Sequence, residues 1–141
     1  MHTRAAVPED AAAIAGIYNQ GIEDRVATFE TRRRSEADVR AWFDGAHPIM
    51  VAEQAGEIVA FAVSSSYRPR ECYAGIAECS VYVVRAARGR GAGRLVLSAL
   101  IEAASRRLCR SLGFREVGLY EKHARLDGVW RDVVIVERLL P

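Results

Sequence analysis

The run Arg88-Gly89-Arg90-Gly91-Ala92-Gly93-Arg94 is where residue type and spacing come closest to chemistry. Glycines at alternate positions let a backbone approach a ligand closely, and the arginines among them bring positive charge to the same place. A β-rich run precedes the segment and an apolar helical run follows it. Successive unpaired N–H groups at such a helix start can surround a diphosphate or another ligand carrying several negative charges. Two nucleotide-binding patterns are excluded by spelling. The glycines do not fit GxGxxG and no Gly-Lys-Ser/Thr follows, so neither the dinucleotide fingerprint nor the P-loop is matched. Three glycines alone suit a plain turn equally well. Glu78, on the strand ahead of the loop, reads by itself as an exposed strand residue.

The chain that must position this segment has 141 residues, 50% hydrophobic and 27% charged, which suits a single globular domain spanning 1–141. A formal net charge of +2 is too small for a nucleic-acid surface. Two arginine clusters, Arg32-Arg33-Arg34 and Arg106-Arg107 with Arg110, read as solvated basic faces. Cys72, Cys79 and Cys109 are odd in number and lack paired spacing, so neither a disulfide frame nor a metal site is expected, and a reducing compartment fits best. The start, Met1-His2-Thr3-Arg4, has no apolar leader and no window approaches 18 uninterrupted apolar residues. A cytoplasmic protein with no membrane partner is expected.

Pro8-Glu9-Asp10 opens a helix to about Glu23, with Ala11, Ile14, Ile17, Tyr18 and Ile22 on one buried face. After a loop from Arg25 to Arg34, Ser35 with Glu36 and Asp38 opens a shorter helix carrying Val39, Trp42 and Phe43, closed by Gly45 and Pro48. Ile49–Glu53 and Ile58–Ser64 form a hairpin across Gln54-Ala55-Gly56-Glu57. The next strand, about Gly75 to Val84, puts Ile76, Glu78, Ser80 and Tyr82 on one face and Ala77, Cys79, Val81 and Val83 on the other. A helix from about Ala92 to Arg107 is apolar along Leu95, Leu97, Leu100, Ile101 and Ala104, and so packs on a sheet. Phe114–Tyr120 and Val129–Arg138 are further strands. The continuous Val133-Val134-Ile135-Val136 run in the second predicts a central position.

The strand and the loop are more specific together than apart. Glu78-Cys79-Ser80-Val81-Tyr82-Val83, followed by Arg-x-x-Gly-x-Gly at Arg88, Gly91 and Gly93, resembles the GNAT acetyltransferase superfamily. Ile17-Tyr18-Asn19 with Thr28-Phe29-Glu30-Thr31, Tyr67-Arg68-Pro69-Arg70, and Gly128-Val129-Trp130-Arg131-Asp132-Val133 look like the phosphinothricin and methionine-sulfoximine N-acetyltransferase group. Ser111-Leu112-Gly113-Phe114 is similar to the superfamily's helix-to-strand signature. The resemblance implies an α/β fold whose mixed, mostly antiparallel sheet is flanked by helices and splays open beside the cofactor strand. It further implies direct transfer of an acetyl group from acetyl-CoA to the amine of a small amino-acid-like acceptor.

On that resemblance, backbone groups of Val81, Tyr82 and Val83 hold the pantetheine arm, and Arg88, Gly89, Arg90, Gly91, Ala92, Gly93 and Arg94 wrap the pyrophosphate. Glu78 takes the general-base position. The chemistry agrees, because an α-ammonium with a reference pKa near 8 must lose a proton before its nitrogen attacks a thioester. An N–H from the Tyr82 region would stabilise the developing oxyanion. Arg68, Arg70 and Glu71 match acceptor-site positions, the arginines suiting a carboxylate or phosphinate and Glu71 an ammonium group. Phe29 lines the same pocket. Trp130 and His123 are further candidates, although a tryptophan at a strand start is commonly core and a loop histidine commonly surface. Cys79 faces away from Glu78, is expected to pack, and has no partnered base. A homodimer is an expectation from the group alone.

One departure stands out. Between Ala104 and Leu112 the superfamily has another strand, a loop and the start of a helix, whereas only Ser105-Arg106-Arg107-Leu108-Cys109-Arg110-Ser111 lie there. A strand of about 5–6 residues with connections of about 2–6 each cannot fit. Either the chain lacks this element or a segment is missing from the sequence, and the second is favoured because a true loss leaves an unpaired sheet edge and an unlined cleft. The superfamily's thiolate-protonating tyrosine falls near Cys109, leaving the general acid unassigned. Alternatives to the amino-acid-type enzyme are a peptide N-terminal or polyamine acetyltransferase, the latter disfavoured by Arg68 and Arg70, and a non-catalytic CoA-binding module.

Overall fold

A computed structural model of the chain describes residues 1–105 and 115–139. Cys109, the Ser111–Phe114 signature, Arg106, Arg107 and Arg110 lie outside the described residues. Four strands, β1 (His2–Ala5), β2 (Ile49–Gln54), β3 (Glu57–Ser66) and β4 (Ala77–Val83), form one sheet in the order β1-β2-β3-β4 with every neighbour antiparallel. The β2–β3 turn works because Ala55 and Gly56 both take positive φ, 52° and 82°, as a two-residue hairpin turn requires.

Helices cover both faces. α1 (Ala11–Asp24), preceded by a 3₁₀ turn at Pro8–Asp10, packs with α2 (Glu36–Arg40) on the face carrying Val51, Phe61 and Tyr82. Its expected apolar stripe of Ala11, Ile14, Ile17, Tyr18 and Ile22 is buried throughout. α2 is short, but Ser35 caps it and Asp38 returns the bond to the Ser35 N–H at 2.8 Å. Phe61 is fully buried and stacks on Tyr82 at 5.2 Å, so truncating it to alanine costs about 3–5 kcal/mol. α3 (Ala92–Ser105) covers the other face, where Ala92, Val96 and Leu100 meet Ala52, Ala60 and Ala62. Small alanines on the sheet let this helix lie close.

β5 (Arg115–Leu126) and β6 (Val129–Glu137) form a separate antiparallel ribbon, turning at Asp127-Gly128 with φ of 49° and 80°. Here the expectations need correcting. β6 is not central: Val134 and Val136 are more than half exposed, and among the described residues its only strand partner is β5. The strand expected to end at Tyr120 runs on to Leu126, which puts His123 in a strand rather than a loop. Leu95 is exposed while Val96 is fully buried, because a helix apolar nearly all round does not declare which stripe faces the sheet. Cys79 is exposed rather than packed, since α3 covers β4 only at Val81 and Val83.

Candidate active site

Among the described residues β4 is the last strand of its sheet, so one side of its backbone meets no other described strand. Two hydrogen bonds fix which groups use that side. The Tyr67 N–H donates to the Ile76 carbonyl and the Val84 N–H to the Val59 carbonyl, and the register between them is unbroken from Ser66↔Ala77 to Ala60↔Val83. Alternation therefore turns the amide groups of Ile76, Glu78, Ser80, Tyr82 and Val84 toward β3, and those of Val81 and Val83 outward. The Arg88 Nε–H donates to the Val83 carbonyl at 3.1 Å on that outward side. Of the three residues expected to grip an extended arm, Val81 and Val83 present their backbone to the open edge.

Tyr82 contributes its side chain to the core instead. Its ring lies 4.6 Å from that of Tyr18 and 5.2 Å from Phe61. Burial above all, then the neighbouring Tyr18 phenol, raises its pKa above the ordinary tyrosine value, while the Thr28 hydroxyl opposes the shift. Tyr82 is thus a neutral spacer between α1 and β4.

A groove of about 400 Å³ follows the open edge. Its floor is Val81–Val83, one wall is Ile17, Gly21, Val26 and Ala27, and one end is Ala87 to Arg94 with Arg90 outside the lining. Gly89 and Gly91 take φ of 73° and 84° with open space where a Cβ would stand, and both line the groove, so no side chain of their own screens their backbone. At Gly93 a Cβ would lie 3.3 Å from Val83 Cγ2, so glycine lets the start of α3 seat closely against β4. The residues thus fit a ligand with an extended polar arm and a phosphate group: strand edge for the arm, bare amides and a helix start for the anion. Arg88 is already engaged, since its Nη2 lies 2.6 Å from Asp24 Oδ2. Arg90 and Arg94 have no ion pair among the described residues.

The acceptor candidates gather at the other end of β4. Glu78 is exposed, pairs across the sheet with Ser65, and makes no hydrogen bond or ion pair among the described residues. Arg68 lies over the Tyr67 ring at 5.0 Å, and Tyr67 packs edge-on to Tyr73 at 5.7 Å. Arg68 is held further toward its charged form by Tyr67 first and, through charge, by Tyr73 and Tyr120, which brings β5 to the same end. His123 lies 4.6 Å from Tyr120. Arg70 and Glu71 are exposed at the short 3₁₀ turn Glu71–Tyr73. Phe29, on the loop after α1, and Trp130, beside the β5–β6 turn, are exposed and line no part of the groove. The wall formed by α1 went unread in the sequence, although Gly21 was a signal: a glycine within a helix costs about 1 kcal/mol and implies close approach.

A model of the acetyltransferase (GNAT) family matches residues 15–125. The chain belongs to the GNAT acetyltransferase family. As a GNAT enzyme it uses acetyl-CoA to acetylate amines. It is 33% identical over 165 positions to a phosphinothricin N-acetyltransferase of Streptomyces coelicolor, covering 99% of this chain and 96% of the relative. It is 32% identical over 151 positions to an L-methionine sulfoximine/L-methionine sulfone acetyltransferase of Pseudomonas paraeruginosa, covering 91% and 88%. A phosphinothricin acetyltransferase from Sinorhizobium meliloti, solved in complex with AcCoA, superposes with a TM-score of 0.88 at 28% identity over 98% of this chain and 87% of that one. A ribosomal-protein-alanine N-acetyltransferase from Brucella melitensis gives the same TM-score at 30% identity, over 99% and 100%. The 165 aligned positions exceed this GNAT chain's 141 residues, so the Streptomyces relative holds at least 24 positions without counterpart here. Among the described residues no three His, Cys, Asp or Glu side chains cluster as metal ligands, and no helix is long and apolar enough to cross a membrane.

Proposed function

We propose that this GNAT enzyme acetylates the α-amino group of a small amino acid that carries an oxyanion at its other end, with Glu78 as general base. The observation that carries it is the gathering of Glu78, Arg68 and the Arg70–Glu71 turn at one end of β4, away from the phosphate loop at the other. Acetyl-CoA supplies the activated acetyl group. The outward amides of Val81 and Val83 hold its arm, and the bare backbone of Gly89 to Gly93 with Arg94 meets its phosphates. Arg68 and Arg70 hold the acceptor's oxyanion, Glu71 faces its ammonium, and Phe29, His123 and Trp130 border the acceptor. Glu78 takes the ammonium proton on a carboxylate oxygen through water, and an outward β4 amide polarises the thioester carbonyl. As the C–N bond forms and the C–S bond breaks, the second proton of the attacking nitrogen passes through water to the departing thiolate.

The relatives named for phosphinothricin and methionine sulfoximine support this acceptor class, since both compounds pair an α-amino acid with a tetrahedral oxo group that an arginine fork can hold. The ribosomal-protein-alanine enzyme favours a second reading, a peptide N-terminus, which needs no such fork. Incubation with acetyl-CoA and each of phosphinothricin, methionine sulfoximine, natural amino acids and an alanine-ended peptide, following free thiol, separates the two. Release only with the peptide overturns the first reading, and no release with any acceptor overturns both. A cytoplasmic location, supported by the two exposed free cysteines, and a two-fold dimer belong to the same proposal; light scattering on the eluted protein measures the dimer.

A further inference from the structure

α1 ends against the usual rule for helix charges. Its last turn carries Glu23 and Asp24 and no base, although the helix C-terminus is the negative end of the dipole. Two arginines from the turn just ahead of the phosphate loop answer them. Asp24 Oδ1 lies 2.7 Å from Arg85 Nη2, Asp24 Oδ2 lies 2.6 Å from Arg88 Nη2, and Glu23 Oε2 lies 2.8 Å from Arg85 Nη2. The Arg85 backbone N–H also donates to Gln20 Oε1 at 3.0 Å. Arg88 completes the fastening by donating its Nε–H to the Val83 carbonyl.

Resting on the reading that the groove takes the diphosphate of acetyl-CoA, we infer that Asp24 is the positioning residue of the phosphate site and that Arg88 is its tether rather than a phosphate ligand. Arg88 turns Nη2 to an ion pair with Asp24 and Nε to the β4 edge, and the loop begins at the next residue, Gly89, with its φ of 73°. Arg85 and Arg88 bracket a turn whose Ala87 is buried, so their shared carboxylate fixes where Gly89 to Gly93 stand relative to Val81–Val83. The phosphate charge then falls to the backbone N–H groups and to Arg94, which lines the groove and has no ion pair among the described residues. Isolated surface pairs contribute little, but one carboxylate shared by two arginines that are also bonded to backbone and helix holds geometry as a unit. Asp24 stays ionised in this role, because its bonds to Arg88 and Arg85 outweigh the desolvation that alone would raise its pKa.

Calorimetry of CoA and of pantetheine, which lacks the diphosphate, over a series of salt concentrations tests this. Asp24→Asn and Arg88→Met are each expected to weaken CoA about 5- to 10-fold through lost pre-organisation, to leave pantetheine unchanged, and to keep the wild-type salt dependence. The double variant should bind no more weakly than the weaker single one, and Asp24→Glu should recover part of the loss. Arg94→Met, by contrast, should flatten the salt dependence. Arg88→Met flattening it to the same degree, or Asp24→Asn tightening CoA, overturns the inference. If Asp24→Asn does not fold, as thermal unfolding would reveal, the comparison of Arg88→Met with Arg94→Met decides alone. Absence of CoA binding by the wild-type chain would overturn the groove assignment itself, a distinct result.

Discussion

Replacing Gly21 by alanine probes the meeting of α1 with the cofactor strand. A Cβ at Gly21 would stand 2.9 Å from Cδ1 and 3.0 Å from Cε1 of Tyr82. Ordinary carbon–carbon contact is about 3.5–4.0 Å, so helix and ring must part by roughly 0.5–1 Å. The ring has nowhere to go: Phe61 stacks on it at 5.2 Å and Tyr18 lies at 4.6 Å. Overpacking of this kind costs about 1–3 kcal/mol, while exchanging a helical glycine for alanine returns about 1 kcal/mol. The expected balance is a net loss of about 1 kcal/mol, or a drop in Tm of roughly 3–6 °C. Gly16 is the control, on the same helix but exposed, with nothing within 4 Å of its Cβ position. Gly16→Ala should stabilise by about 0.5–1 kcal/mol, so the two variants move in opposite directions. Urea unfolding with an unchanged m-value gives both numbers, and CoA affinity should fall only in Gly21→Ala, because Tyr82 and Gly21 both line the groove. Were Gly21→Ala as stable as Gly16→Ala, the close approach of α1 to β4 would be refuted.

Glu78→Gln should lower kcat by about 10²- to 10⁴-fold, the usual contribution of a general base, with CoA affinity unchanged; full activity would remove Glu78 from the mechanism. Asn19 is buried and holds Arg34 from both sides, donating to its carbonyl at 2.9 Å and accepting from its N–H at 2.8 Å. Asn19→Ala should cost about 1–3 kcal/mol and admit trypsin at Arg32–Arg34, which limited proteolysis would reveal. Asp44 is held at a pKa of about 2, by the His47 side chain first and then by the His47 and Ala46 backbone N–H groups. A carboxyl depressed in the folded state adds stability above its unfolded pKa of about 3.9 and loses it as pH falls through the folded value. Asp44→Asn should therefore flatten the decline in urea midpoint between about pH 4 and pH 2, and an unchanged decline would show that Asp44 is not so held.

Local features were legible in the residues themselves. The α1 stripe, the Ser35 cap, the Ala55-Gly56 turn and the alternation of β4 follow from short-range sterics and periodicity, which act within a few residues. The phosphate loop was legible for the same reason, as contiguous glycines and arginines between a strand and a helix. Two things were not. The stripe of α3 that meets the sheet is Ala92, Val96 and Leu100, although Leu95 and Leu97 are equally apolar, because the choice depends on the alanines facing it from β2 and β3. The Val133–Val136 run signals burial on both faces, yet β6 pairs with β5 alone among the described residues and stays half exposed, since a run records what a strand needs and not which neighbours the chain supplies.

The site itself divides along the same line. The sequence by itself determined the family's strand and loop, and with them the glycines between β4 and α3. Only the tertiary structure decided that the amides of Val81 and Val83, and not that of Tyr82, meet the open edge, because that follows from the register of β4 on β3. It alone brought Gly21 under Tyr82 and Asp24 against Arg88. Those pairs join residues distant in the chain, and their energies arise from packing and charge between elements that no local pattern records.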